Sequence, residues 1–354
     1  MQIKLITITV LVGLSATFAG IWETVQAQDG GTVGSYTRIG ISPRTVAIGN
    51  AYVAGGNEGI YSFYNPAIAA GIRYNQVDMT GAAMSFDRRF ATAQVTFPLP
   101  PSAGLSFDLT YAGVQDFDGR TQSGYFTNEF STHDIQFGAS FGIQLNERLS
   151  LGTRVKFMTA RYGQDSVDAP TSVGADLGLR YQLSEVTAIG LTAQDLIGEF
   201  VWNTSELYGT AGSTQTTDRM PTRLKIGFWH AAMSQQLNLY GEFEHRINYS
   251  QQVNRQVVYG ANRPSIQTRK ENVTYSAQYV RLGASYDVHE RVTARAGWQS
   301  GNLNDIDISQ QFSAGFSVKL PFDMYSPAID YAIVREPGGI SWMHMFAIRL
   351  NINN

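Results

Sequence analysis

The sequence contains no cysteine, only 11 prolines among 354 residues and, beyond its N-terminal stretch, no apolar run long enough for a spanning helix. Without cysteine there is no disulfide framework, no thiolate metal site and no lipid-modified N-terminal cysteine, so stability must come from packing and hydrogen bonding. A mean hydropathy of −0.15 excludes a helical membrane protein. It does not exclude a barrel, because half of each barrel strand faces water. The net charge of −3 offers no concentrated basic surface, so no nucleic-acid partner is expected. What is abundant is glycine (35), phenylalanine (19) and tyrosine (18), the stock of pleated strands with aromatic girdles.

The first residues read as an export signal. Lys4 supplies the positive start, Leu5 to Gly20 form an apolar stretch containing Leu11, Val12, Leu14 and Phe18, and Val25-Gln26-Ala27 ends in small residues. This pattern predicts cleavage after Ala27, giving a signal peptide over 1–27.

From Gln76 onward the dominant pattern is alternation. In Gly174-Ala175-Asp176-Leu177-Gly178-Leu179-Arg180-Tyr181, the residues Ala175, Leu177, Leu179 and Tyr181 share one face of a strand, and Asp176 and Arg180 share the other. About fourteen such segments follow, at 76–86, 89–99, 104–116, 129–145, 149–162, 172–183, 186–202, 221–233, 236–250, 272–288, 291–301, 308–320, 327–336 and 340–352. Short turns, as at Asn146-Glu147 and Ser234-Gln235, alternate with long polar loops at 117–128, 163–171, 203–220 and 251–271. An exported chain built this way predicts an all-β fold: a transmembrane antiparallel β-barrel over 76–354, lipid outside, water inside, in the outer membrane of a Gram-negative cell. Membrane lipids are its first expected partners.

Residues 28–75 differ in kind: they are glycine-rich, weakly alternating and too few for a core of their own. They read as a hatch, or plug, inside the barrel. Ala47 to Ala54 fit a strand or a turn of helix, and Asn65-Pro66 should open a short helix to Ala70, since proline suits the first helical position.

On the inward faces lie Arg154, Lys156, Asp176, Arg180, Glu242, Glu244, Arg246, Arg281 and Arg295. They could line a substrate path, but charges in a confined interior are costly unless partnered, so mutual pairing is the first expectation. Trp202, Trp229, Trp298 and Trp342, with Tyr162, Tyr181, Tyr249 and Tyr279, fall near strand ends and suit an interfacial girdle. The five histidines are scattered and approach no serine or second ligand at a useful spacing, so neither enzyme, metal site nor cofactor is expected.

The segment from Ser42 to Gly71 carries Ala47-Ile48-Gly49-Asn50, Ala51-Tyr52-Val53-Ala54, Asn57-Glu58 and Asn65-Pro66-Ala67. This resembles the N-terminal motif of the PorV/PorQ family, within the wider FadL-like outer-membrane barrels. Ile329-Asp330-Tyr331-Ala332 and Trp342-Met343-His344 resemble that family's last hairpin. Asn50 stands where the family often has a second glycine, and its acidic pair is reduced here to Glu58. The resemblance implies a fourteen-stranded barrel with a hatch, whose motif maps to Gly49, Tyr52, Glu58, Asn65, Pro66 and Ala67. It implies one of two activities. PorV-like members serve type IX secretion by engaging secreted cargo at the cell surface; FadL-like members take up hydrophobic molecules that leave sideways into the membrane. The polar loops 203–220 and 251–271, with Tyr208, Arg255 and Tyr259 as contacts, favour cargo or secretion-machinery partners. A hydrophobic ligand would instead want an apolar pocket.

Overall fold

The computed structural model describes residues 33–162, 169–203, 215–259, 264–303, 310–322, 325–336 and 341–352. The predicted signal peptide and Tyr208 lie outside them.

Among the described residues sixteen strands are formed: β1 (Asn75–Ala83), β2 (Arg88–Leu99), β3 (Ala103–Arg120), β4 (Phe126–Gln144), β5 (Leu149–Tyr162), β6 (Thr171–Ser184), β7 (Thr187–Gln194), β8 (Glu199–Asn203), β9 (Gln215–Arg219), β10 (Thr222–Ala232), β11 (Leu237–Tyr259), β12 (Pro264–His289), β13 (Val292–Gln299), β14 (Gln311–Lys319), β15 (Ala328–Arg335) and β16 (Trp342–Ile352). All but β8 and β9 join one closed barrel of fourteen strands, with β1 pairing β16 to shut it. Closure leaves no sheet edge, which is what a wall surrounded by lipid requires. The fourteen strands expected from alternation are therefore present.

Alternation works here in reverse of a soluble protein. Leu177 is 51% exposed on the outside while Asp176 beside it is 1% exposed inside. The same sorting holds for Leu224, Ile226 and Phe228 against Arg223 and Lys225, and for Phe312 and Phe316 against Ser313 and Ser317. The apolar residues await lipid, and the polar residues fill a closed lumen.

Three differences from the sequence expectation matter. The loop predicted at 251–271 is almost wholly strand: β11 and β12 run 23 and 26 residues and pair from Leu237↔Tyr286 out to Tyr259↔Pro264. Neighbouring β10 reaches only Ile247 of β11, and β13 only Arg281 of β12, so the hairpin stands beyond the wall. The sequence of this segment lacks the apolar-polar alternation that marks the wall, which is why it reads as loop. Arg255 and Tyr259 accordingly sit on β11. The second difference is at 203–220, where β9 and the end of β8 replace part of the predicted loop. The third is the predicted strand 186–202, which is two: β7 ends at Gln194, and β8 begins at Glu199 in a separate two-stranded flap with β9.

The hatch occupies the lumen. A helix α1 (Pro43–Ala47) is capped by Ser42, and a 3-10 helix (Pro66–Gly71) is capped by Asn65, with proline at the first helical position in both. The second matches the short helix expected there. Between them, Ala47 closes α1, and Ile48 to Ala54 follow as turns and irregular chain rather than a strand.

Candidate functional site

Two features make the site: the seat of the hatch and the break in the wall beside it.

The hatch lies against the wall backbone to backbone, and strand glycines make this feasible. Gly104, Gly142, Gly152 and Gly178 pair directly in a row across β3 to β6, beneath the 3-10 helix. A methyl group on Gly142 would stand 2.7 Å from the Pro66 carbonyl oxygen and the Ala70 nitrogen, and one on Gly152 or Gly178 would collide with Pro66 or Asn65. A second pad, Gly190 paired with Gly227, carries Val53 and Ala54; a third, Gly283 paired with Gly297, carries Ile48 and Gly49.

The motif residues all join this seat. Asn65 accepts from the Ala67 N–H at 3.0 Å, and its amide donates to the Val53 carbonyl at 2.7 Å and to Leu179 of β6 at 3.0 Å. It therefore caps the helix and docks it in one step. The Tyr52 hydroxyl donates to Gly59 O at 2.7 Å; Gly49 adopts φ 67 at the turn after α1; Pro66 and Ala67 are buried in the 3-10 helix.

Glu58 is 2% exposed and sits between a cation of the wall, Arg295, and one of the hatch, Arg44. Arg295 reaches its Oε2 at 2.6 Å, Arg44 at 3.8 Å, and the Tyr240 hydroxyl donates to Oε1 at 3.3 Å. Burial alone would raise the Glu58 carboxyl; the Arg295 and Arg44 guanidiniums outweigh it and hold the group below its ordinary value. Arg44 in turn binds Asp330 of β15 at 2.8 Å.

The other luminal charges form two further groups. Glu242 Oε2 accepts the Tyr52 and Val53 N–H groups, both at 3.2 Å, while its Oε1 takes Arg281 at 2.7 Å. Glu244 takes Arg281 at 2.7 Å and Arg246 at 2.9 Å. Arg154 bridges Asp108 at 2.6 Å and Asp176 at 3.1 Å; Lys156 joins Asp176 at 2.7 Å and also pairs with Asp195. Arg180 stands apart and donates to the Ala54 carbonyl at 2.9 Å. Two supposed girdle residues are luminal as well: Trp229 donates to Asn238 at 3.1 Å, and the Tyr279 ring lies 4.1 Å from the Arg246 guanidinium.

The wall breaks at Asp195. This residue has φ 60, its N–H donates to Asp176 at 2.8 Å, and its carboxylate binds Lys156 and, at 2.6 Å, Arg223. The Leu196 N–H still reaches Ala175 of β6 at 3.0 Å, after which the chain leaves the barrel ladder. The β8–β9 flap fills the sector instead. Phe200 and Met220 pack inward on Met158 and Ala160 of β5, while Ile197 and Val201 are exposed. At its far side, the Arg219 guanidinium lies 5.3 Å from the Tyr249 ring of β11.

Asp195 and Arg44 were not singled out from sequence. A signal for Asp195 exists: Leu196-Ile197 puts two apolar residues in succession, followed by Gly198, and so breaks the period of two. The Arg44 partnership leaves no local trace, since Asp330 lies at the other end of the chain.

On the outer face beneath the break, a groove of about 520 Å³ is lined by Leu177, Leu179, Leu191, Ala193, Leu224, Ile226, Phe243 and His245, among others. Among the described residues no group of histidines and carboxylates could hold a metal ion.

Neither a family model nor a protein of curated function matches the sequence. Solved structures do. The chain is similar to the CymD monoaromatic hydrocarbon channel at 15% identity and a TM-score of 0.60, covering 89% of this chain and 98% of that one. It is similar to the Ralstonia pickettii toluene transporter TbuX (14% identity, TM-score 0.55, 89% and 99% covered). A FadL homologue from Pseudomonas aeruginosa gives 11% identity and a TM-score of 0.55, with 88% and 98% covered. At these identities the likeness is one of fold: the chain has the fold of the FadL-like outer-membrane channels.

Proposed function

We propose that this chain is a non-enzymatic outer-membrane channel, through which small hydrophobic molecules pass from the cell surface sideways into the membrane. The observation that carries this is the break at Asp195–Gly198, where the wall exchanges its ladder for an apolar-cored flap. A hydrophobic solute entering from the long-hairpin rim meets the hatch, whose seat blocks straight passage. Leaving between flap and wall, it goes from protein to lipid without crossing water, which favours apolar cargo. The similar channels, named for monoaromatic hydrocarbons and for toluene, support the reading.

Gly198→Trp tests it. A side chain there meets Met220 of the flap at once, a Cβ falling 2.8 Å from its sulfur. Cells relying on this protein should lose uptake of labelled toluene to background, while heat-modifiable migration on gels shows the barrel assembled. Wild-type uptake in an assembled variant would sink the proposal.

The secretion reading keeps one supporting observation, the β11–β12 hairpin extending past the ladders it shares with β10 and β13, where it could meet a protein partner. Its support from polar loops at 203–220 and 251–271 is weakened, because most of 251–271 and part of 203–220 are strand. Deleting 251–271 should abolish surface delivery of secreted proteins on that reading and leave toluene uptake intact on ours.

A further inference from the structure

The outer-face groove is built from two registers of outward side chains. Leu177, Ala193, Leu224, His245 and Gln278 pair in line across β6, β7, β10, β11 and β12; Leu179, Leu191, Ile226 and Phe243 form the row below. Both rows are apolar until the first reaches His245 and Gln278, which pair directly and line the same groove. Polar side chains on a lipid-facing surface are costly, and Phe243 and Ile247 flank His245 on the outward face of its strand. Two residues past Ala193 the strand leaves the wall at Asp195. The groove thus lies where a solute leaving the break first meets the outer surface.

We propose that this groove binds an uncharged amphiphile, a long apolar body with one hydroxyl-type head, its body along the leucine rows and its head on His245 and Gln278. The polar pair can donate and accept hydrogen bonds. No cation on the groove matches a carboxylate: Lys225 contributes to the lining, but its ammonium lies 3.6 Å from both Glu242 and Glu244 inside the barrel. A neutral head can hydrogen-bond to the pair without bringing charge into lipid. The proposal rests on the lateral route above, adding to it an external resting site and a preferred head group.

The test uses the full chain in phosphatidylcholine nanodiscs and three photoactivatable probes: hexadecanol, hexadecane and palmitate, each with a mid-chain diazirine. Cross-linked peptides are mapped by mass spectrometry, needing no transport. Hexadecanol should label β6, β7 and β10 above the lipid belt around Phe312 and Phe316, and unlabelled hexadecanol should compete. Ala193→Trp, which fills the groove, should bring labelling down to belt level. His245→Leu should lower hexadecanol labelling about fivefold, the value of one hydrogen bond, and leave hexadecane unchanged. Heat-modifiable migration verifies that each variant is folded. Labelling equal to the belt, competition by added phosphatidylcholine as strong as by hexadecanol, or preference for palmitate would each overturn the proposal. Because cross-linking and uptake are measured separately, a groove that labels in a chain that does not transport identifies failure of the route alone.

Discussion

On one side of this barrel, β13 to β16 and β1 to β5 pair edge to edge, interrupted only by register shifts near the end of β3–β4; on the other, β7 is short and a flap stands beside its end. Both sectors bury charge, but to different ends. In the continuous sector, Arg295 and Asp330 reach inward to Glu58 and Arg44 and so fasten the hatch. In the broken sector, Asp195 draws Lys156 of β5 and Arg223 of β10 together across the gap and fastens the wall to itself. A continuous ladder obtains cohesion from its backbone and leaves its side chains to hold the hatch. An interrupted one must hold its edges by side chains.

The sharpest way to break this contrast is to remove one anion from each sector. Asp195→Ala strands two buried cations at the break and should cost about 3–5 kcal/mol in chemical denaturation from lipid, with the flap becoming protease-sensitive. Glu58→Ala should cost a similar amount, about 3–5 kcal/mol, but its signature should be raised conductance in planar bilayers, as the hatch loosens within an intact wall. Because Glu58 titrates below its usual range when folded, its contribution is present above the unfolded carboxyl pKa. It is lost only as pH falls through the lowered folded value. Exchange of these signatures, with Glu58→Ala exposing the flap and Asp195→Ala opening the pore, would overturn the division of labour.

Next in size is the outer surface, where the sectors should behave alike. Leu177→Arg near the break and Phe316→Arg in the continuous sector both place charge in lipid, at about 2–4 kcal/mol if near the bilayer midplane. Unequal costs would show that the membrane is deformed at the break.

Gly152→Val asks whether seat or charge positions the hatch. The new side chain would push into Pro66 on the hatch, an overpacking worth about 1–3 kcal/mol. It should raise bilayer conductance without affecting the flap. Unchanged conductance would mean that the hatch rides on its ion pairs alone.

The sequence made the wall legible because lipid and lumen impose opposite demands on alternate residues, and Leu151-Gly152-Thr153-Arg154-Val155-Lys156-Phe157 records both. The short helix at Pro66 was legible from its cap and proline. The break was not, since Gln194-Asp195-Leu196-Ile197-Gly198 is a local irregularity that a strand can absorb as a bulge, and only the register of β6 and β10 shows that the ladder ends there. The glycine seat was hidden for a different reason. Gly104, Gly142, Gly152 and Gly178 are unremarkable one by one, and their alignment exists only across strands. The projecting hairpin was misread because the hydrophobic alternation that identifies a strand needs a face in lipid or in a core.

The smallest expected effect lies inside the hatch, at Asn50. It adopts φ 61, a conformation that glycine takes freely and asparagine tolerates. Its side chain accepts from the Tyr64 hydroxyl at 2.7 Å and donates to the Ile39 carbonyl at 3.2 Å. Asn50→Gly loses these two bonds, gains backbone ease, and leaves Tyr64 with Thr45 2.8 Å away, so the net change should stay within about 1 kcal/mol by denaturation. Asn50→Val, branched at Cβ in the same backbone conformation, should cost about 1–3 kcal/mol. If Asn50→Gly instead costs as much as Asp195→Ala, the hatch is held by its own internal turn more than by the wall. The contrast between a sector that fastens the hatch and one that fastens itself would then have to be redrawn.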